Sequence, residues 1–329
     1  MRLSSILKSY AKKKETPIHL KYLYTFNPIK QQTIFLKEEL SIRLSHRIFD
    51  IYKLPYGLPV IPEIKSVINL YKQSFEKLNS HPKIITNNNI ETFTETLNNI
   101  KDNHKDLEFT IAKGLNKLDN PLIDYNIINN VLNTFFLSRI SIRTLISHQI
   151  NTFNNTEPII SNCNISYIIQ ETIKDIKYIS EKYLDNDIEI NFNNIDKGDI
   201  YMYYVKSHLY YVFNEILKNS IIAHNKYNIK EPISITINQT NKYVIINIKD
   251  NGMGFDIDNL SKIMSYSYST SNINNLDNSY ILSGFGFGIP LTNLYIKYFN
   301  GIIQINPVEN VGTNIYIYIK KLDNTIEQL

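Results

Sequence analysis

Between Ser283 and Gly301 the chain reads S-G-F-G-F-G-I-P-L-T-N-L-Y-I-K-Y-F-N-G. Gly284, Gly286 and Gly288 alternate with Phe285 and Phe287, and Leu291, Leu294, Tyr295 and Tyr298 then recur at i, i+3, i+4 and i+7. A glycine-rich loop therefore runs straight into a helix N-terminus. Glycine lets the backbone take positive φ and come close to a ligand. The free N–H groups of a first helical turn, with the helix dipole behind them, favour an anion, most often phosphate. A glycine-rich turn ahead of an ordinary surface helix has the same local pattern, so segments upstream decide between the two.

With 329 residues the chain exceeds one average domain, and two domains are expected. A net charge of +4 is small for that length and makes no case for nucleic acid. No apolar run approaches the roughly 20 residues of a membrane span. The lone Cys163 excludes an internal disulfide and a cysteine zinc site, and fits a reducing compartment. Residues 1–14 carry no acidic group, and Leu3, Ile6, Leu7 and Tyr10 share one helical face. That is the basic, amphipathic pattern of a mitochondrial transit segment; the first helix of the fold with a solvated basic face would read the same way.

Four segments, at about 31–53, 62–79, 89–117 and 121–150, have helical spacing, short connections and no strand signal. They predict an antiparallel four-helix bundle. Residues 151–164 are polar and mark the boundary, after which Ile165, Ile168, Ile169 and Ile176 begin a new helix. The second half then alternates. Strand periodicity spans Asp187–Asn193, helical periodicity about 203–224, and two β-rich runs, Ile233–Gln239 and Tyr243–Lys249, form a hairpin around Thr240, Asn241 and Lys242. A helix is expected at about 257–264, a mobile polar loop at 265–283, and two last strands at Ile302–Asn306 and Asn314–Ile319. Hairpins require antiparallel pairing, so this half reads as a mixed-sheet α/β sandwich with helices over one sheet, not a doubly wound parallel sheet.

The helix near 209–223 turns Leu209, Val212, Phe213, Ile216, Ser220 and Ala223 inward and leaves His208, Tyr211, Glu215, Asn219 and Ile222 on a second face. Glu215 and Asn219 are i and i+4, so both side chains can enter one site. A carboxylate can take a proton from a hydroxyl, and an amide oxygen suits Mg²⁺ on nucleotide phosphates. A solvated polar stripe is the alternative. At the end of a strand, Asp250-Asn251-Gly252-Met253-Gly254 is either an ordinary turn or a carboxylate aimed at an exocyclic amine, with glycines making room for a flat base. His104 and His148 read as packed helical residues.

In chain order these pieces are E-x-x-x-N, D-x-G-x-G, G-x-G-x-G and G-T, the last at Gly312-Thr313. The ordered set resembles the ATP site of the superfamily of DNA gyrase, the heat-shock ATPase chaperone, bacterial histidine kinases and the MutL repair proteins. G-F-G-F-G-I-P, E-I-L-K-N at Glu215–Asn219 and Y-S-T at Tyr268–Thr270 narrow the likeness to the mitochondrial kinases of 2-oxo-acid dehydrogenase complexes. So do E-L-S-I-R-L-S-H-R-I at Glu39–Ile48, H-K-D at His104–Asp106 and S-R-I-S-I-R at Ser138–Arg143, and the resemblance covers about Tyr10 to Lys321.

The resemblance implies an α + α/β chain: a regulatory and docking four-helix bundle at 15–155, then a Bergerat-type ATP-binding kinase domain at 160–325. It implies transfer of the ATP γ-phosphoryl to serine on the α-subunit of a pyruvate or branched-chain dehydrogenase in the mitochondrial matrix, inactivating the complex. A histidine autokinase and a nucleotide-binding regulatory scaffold are the alternatives. ATP and Mg²⁺ are the implied cofactors, with K⁺ as a further ion. The lipoyl domain of the complex's core is the implied docking partner, and a homodimer the implied assembly. By motif, Glu215 becomes the general base and Asn219 the Mg²⁺ ligand. Asp250 reads the adenine amine with Gly252 and Gly254 beside the base and Thr313 nearby. Ser269, Thr270 and the run Gly284, Phe285, Gly286, Phe287, Gly288 and Ile289 hold phosphates, and Lys218 and Ile222 complete the ATP-binding set. Two positions depart from the family: Tyr211 stands where pyruvate-type members have a His, and Ile222 where a basic residue is usual. The chain has no Trp, so an acidic-Trp dimer tail is missing.

Overall fold

The computed structural model describes residues 4–24, 28–118, 124–184, 188–266, 286–321 and 326–328. The chain divides into two compact units, residues 1–159 with 326–329, and residues 160–325.

Among the described residues the first unit is helical: α1 (Ser5–Tyr10), α2 (Leu20–Tyr24), α3 (Ile29–Tyr52), α4 (Pro62–Ser80), α5 (Asn87–Asn103), α6 (Leu107–Leu115) and α7 (Tyr125–Phe153). The ends follow local chemistry. Pro62 opens α4, where its missing N–H costs nothing. Thr86 and Asn89 form a reciprocal cap on α5. The Asp124 carboxylate accepts from the Asn126 N–H at 2.9 Å and starts α7. On α4 the buried residues Ile64, Val67, Ile68, Tyr71, Phe75 and Leu78 hold one face. The long helices α3, α4, α5 and α7 pack together, and α6 adds to α4. The continuous helix expected over 89–117 is broken: α5 ends at Asn103 and α6 starts at Leu107. His104 is the cause. It turns inward, meets the Ser74 hydroxyl at 2.8 Å and lies 4.7 Å from the Tyr71 ring, while its carbonyl accepts from Arg139 at 2.8 Å.

One buried ion cluster ties the last residues into this unit. The Arg43 guanidinium, fully enclosed, donates to Glu39 Oε1, Glu327 Oε1 and the Thr16 carbonyl, each at 2.7 Å. The Ser141 hydroxyl donates to Glu327 Oε2 and also meets Arg43. The Ile18 N–H donates to Glu327 Oε1 at 2.8 Å. Near the start, Leu7 is buried and Lys13 pairs with Glu38. Among the described residues no helix is long and apolar enough to cross a membrane.

In the second unit, β1 (Ser161–Asn164) pairs antiparallel with β3 (Tyr201–Tyr204), two four-residue strands too short to give a periodic signal. The main sheet, among the described residues, has the order β2 (Ile190–Asn194), β4 (Ile233–Gln239), β5 (Tyr243–Asp250), β7 (Gly312–Lys320), β6 (Ile302–Val308). β2 and β4 run parallel and the other pairs antiparallel, the mixed sheet expected. Strict alternation sets its faces: Ile233, Ile235, Ile237, Val244, Ile246, Ile248, Ile317 and Ile319 are buried, while Ser234, Thr236 and Asn247 are not. Three helices lie side by side, with α9 (Lys206–Lys226) between α8 (Ile165–Leu184) and α11 (Gly288–Tyr298), while α10 is the short turn Leu260–Ile263. The helix expected over 203–224 starts three residues later because Tyr203 and Tyr204 belong to β3.

Candidate functional site

Burial of Leu209, Val212, Phe213, Ile216 and Leu217 fixes the rotation of α9. Glu215, Lys218, Asn219 and Ile222 are then left on its flank, and none of the four is buried. Lys218 Nζ sits 2.5 Å from Glu215 Oε1, with the two side chains only 14% and 12% exposed. The other oxygen, Oε2, faces the first residue of α11: a Cβ built on Gly288 would lie 2.4 Å from it. Gly288 is therefore glycine for space, because α11 and the Glu215 carboxylate meet at that atom. Gly286, just upstream, is glycine for conformation, with φ of +81°. Phe287 is buried and sets its ring edge-on to Tyr266, centroids 5.0 Å apart, which anchors the start of α11. The Asn219 side chain, one turn beyond Glu215, is exposed.

The second half of the site is built at the end of β5. Asp250 is buried, and Oδ1 accepts from the Gly252 N–H at 3.0 Å and the Thr313 N–H at 3.1 Å. Oδ2 accepts from the Ser220 hydroxyl at 3.2 Å. Burial pushes this carboxyl up from its usual value, and the three donors act against that. Thr313 stands directly across the ladder from Asp250. Gly252 fits closely, since a Cβ there would lie 3.0 Å from Asp250 Oδ1 and 3.2 Å from the Ala223 Cβ. Gly254 has φ of +57°, and a Cβ would meet the Val308 carbonyl at 2.2 Å.

The structure thus brings Glu215, Lys218 and Gly288 together, and Asp250, Gly252 and Thr313 together, with Asn219 and Ile222 along the same flank of α9. Ser269, Thr270, Gly284 and Phe285, and most of the loop expected over 265–283, lie outside the described residues. His208, placed on the site-facing side by spacing, is instead buried against Tyr295, Tyr298 and Phe299. Tyr211 sets its ring on Tyr295, centroids 4.7 Å apart. Sequence reasoning put Ser220 in the apolar face and missed its bond to Asp250; a hydroxyl in that face needs a buried partner, and that was the available signal. His224, which holds the turn after Asp250, was missed as well.

Residues 17–177 match the family described as mitochondrial branched-chain alpha-ketoacid dehydrogenase kinase. Residues 204–323 match the family of histidine kinase-, DNA gyrase B- and HSP90-like ATPases. The chain is similar along its length to the mitochondrial [pyruvate dehydrogenase (acetyl-transferring)] kinase of Arabidopsis thaliana, 28% identical over 343 residues, 96% of this chain and 93% of that protein. Isozyme 1 of the human enzyme is 28% identical over 353 residues, 97% of this chain and 81% of that one. The Drosophila melanogaster kinase is 27% identical over 360 residues, 99% and 87% respectively. A dehydrogenase-kinase match over the helical half, an ATPase match over the sheet half and kinase relatives similar along both make the mitochondrial 2-oxo-acid dehydrogenase kinases the family this chain resembles.

Proposed function

We propose that this chain is an ATP-dependent protein kinase that phosphorylates a serine on the α-subunit of a 2-oxo-acid dehydrogenase in the mitochondrial matrix, inactivating the complex. The observation that carries the reading is the position of Glu215, one turn before Asn219 and against the first residue of α11.

The residues present fit Mg-ATP. Asp250 is a buried carboxylate at the rim of a glycine turn, and Asn219 offers a hard oxygen to solvent. Bound there, Mg-ATP supplies the activated γ-phosphoryl. Asn219 would hold the metal, Asp250 the adenine amine with Gly252, Gly254 and Thr313 around the base, and Gly286 to Ile289 the phosphates at the α11 N-terminus. Glu215 accepts the serine proton as the new bond forms, a role worth about 10²–10⁴-fold. Lys218 holds the other carboxylate oxygen and keeps the side chain directed. K⁺ as a further ion, docking of the first unit on the lipoyl domain, homodimerisation and delivery by residues 1–14 belong to the same proposal. The histidine autokinase gains no support from His104 and His148: both rings are buried, and burial pushes them down to about 3 and about 4, so they are neutral and enclosed.

The test is incubation with labelled ATP and either the pyruvate or the branched-chain dehydrogenase complex. Acid-stable label on the α-subunit of one of them is expected. Glu215→Gln should bind ATP nearly normally and transfer at least about 100-fold more slowly; wild-type transfer by this variant would remove Glu215 as the base.

A further inference from the structure

His224 is the last buried residue of α9 and is fully enclosed. Its Nε2 lies 3.1 Å from the Asn251 main-chain nitrogen and accepts that N–H. The imidazole proton is therefore on Nδ1, which has no partner among the described residues. The peptide it holds is the one that joins Asp250 to Asn251. At its other end the Asp250 carbonyl faces Gly312, whose φ is +141° and where any Cβ would lie 2.2 Å from that oxygen. The Asn251 side chain is tied down too, donating to the Pro232 carbonyl at 3.0 Å. One peptide plane is thus clamped by an imidazole on its N–H side and by a close backbone approach on its C=O side. The residues it carries are Asp250 and, one further on, Gly252, whose own N–H returns to the Asp250 carboxylate.

We propose that His224 is a positioning residue for adenine recognition: its neutral imidazole, by accepting the Asn251 N–H, fixes the peptide that sets the Asp250 carboxylate and Gly252 against the base. This rests on the nucleotide reading of the site above. The charged groups that act on His224 are Asp250 at the end of β5 and Glu231 ahead of β4; the nearest charge on its own helix is the exposed Lys226. Burial holds the imidazole below the usual histidine value, and the two acidic groups offset part of that. At neutral pH the ring is an acceptor. As pH falls through its lowered value, a proton on Nε2 turns the acceptor into a donor facing another N–H, and the clamp opens.

The experiment measures Mg-ATP affinity by calorimetry from neutral pH down to the lowest pH at which the wild type stays folded, on the full chain as wild type, His224→Gln and His224→Ala. Glutamine can present an oxygen near the place of Nε2 and does not titrate. The wild type is expected to weaken by about tenfold on acidification, the effect of losing one buried hydrogen bond. His224→Gln should match the wild type at neutral pH and lose less affinity than it on acidification, the loss that remains belonging to Asp250, whose raised carboxyl also takes up a proton as pH falls. His224→Ala should be about tenfold weaker at neutral pH with kcat at saturating ATP unchanged. If the alanine variant does not fold, the wild-type and glutamine profiles still decide. Parallel profiles for those two, or wild-type affinity in the alanine variant, overturn the role of His224 while leaving the nucleotide site standing. Absence of ATP binding by the wild type at every pH overturns the nucleotide site and this role together.

Discussion

Gly288→Ala separates the chemistry of the site from its stability. The first residue of α11 faces Glu215 Oε2, and the added Cβ would lie 2.4 Å from that oxygen. An ordinary contact begins near 3.4 Å, so the oxygen must retreat by about 1 Å. It can do so, because it is the end of a flexible side chain and the next atom in the way, the carboxyl carbon, is 3.5 Å off. A forced rotamer costs about 0.5–1.5 kcal/mol, and alanine at a helical position returns up to about 1 kcal/mol. Gly288 does not need a positive φ, so no backbone strain is added. The melting temperature should therefore move by no more than a few degrees. Catalysis is different: a reacting group displaced by about 1 Å costs on the order of 100-fold. The assay is transfer of labelled phosphate to the dehydrogenase α-subunit, with ATP affinity measured alongside by calorimetry. A fall in kcat of about 100-fold with affinity within a few-fold is expected. A variant that keeps the wild-type kcat would mean that the carboxylate seen against α11 is not the working position of Glu215.

Other substitutions probe the remaining contacts. Asp250→Asn preserves the network, since one amide oxygen can take both N–H donors while the amide nitrogen donates to Ser220. Burial raises the Asp250 carboxyl, so its ionised form costs stability as pH rises through that value, and a neutral side chain removes the cost. The melting temperature at neutral pH should hold or rise while ATP affinity drops by at least about tenfold; a lower melting temperature would contradict the network. Asn219→Ala should weaken nucleotide binding in Mg²⁺ but not in a chelator, and equal losses in both would argue against a metal ligand. Glu327→Ala leaves Arg43 enclosed with Glu39 as its remaining ion-pair partner among the described residues, so the helical unit should lose about 3 kcal/mol, the low end for a broken buried pair. That is about 6–12 °C in a thermal melt; a shift under about 2 °C would show that the buried contact is not kept in solution.

What could be read from the sequence was whatever is carried by local spacing. The β4–β5 hairpin follows from its alternation, α9 from its apolar face, and the glycine loop from three glycines ahead of a helical pattern. Each is set by residues within one or two turns of each other. The break between α5 and α6 was not legible, although His104 was visible, because the turn exists only where Ser74 and Tyr71 of another helix receive its ring. The β1–β3 pair was missed for a similar reason: four residues give no period, and the partners lie 37 to 43 positions apart, Ser161 opposite Tyr204 at one end and Asn164 opposite Tyr201 at the other.

The same division runs through the site. Motif spacing reports which side chains share a face, so Glu215 and Asn219 emerge as a pair. It is silent on what stands opposite that face. Gly288 could be placed in a phosphate loop from sequence, yet its reason for being glycine is a carboxylate 73 positions upstream. Ser220 was read only as part of the inward face of its helix, and His224 was not read at all. A buried hydroxyl or imidazole is costly unless it is bonded, and both here are bonded to the turn that follows β5. The polar residues on a helix's buried face are thus where this sequence marks the contacts that hold the residues proposed to face the nucleotide. The glycine with no positive φ is the same kind of mark, read from the other side. Both become informative only when asked what the opposing element would otherwise lose: at Asp250 a third donor, at Asn251 an acceptor, and at Glu215 the room to stand.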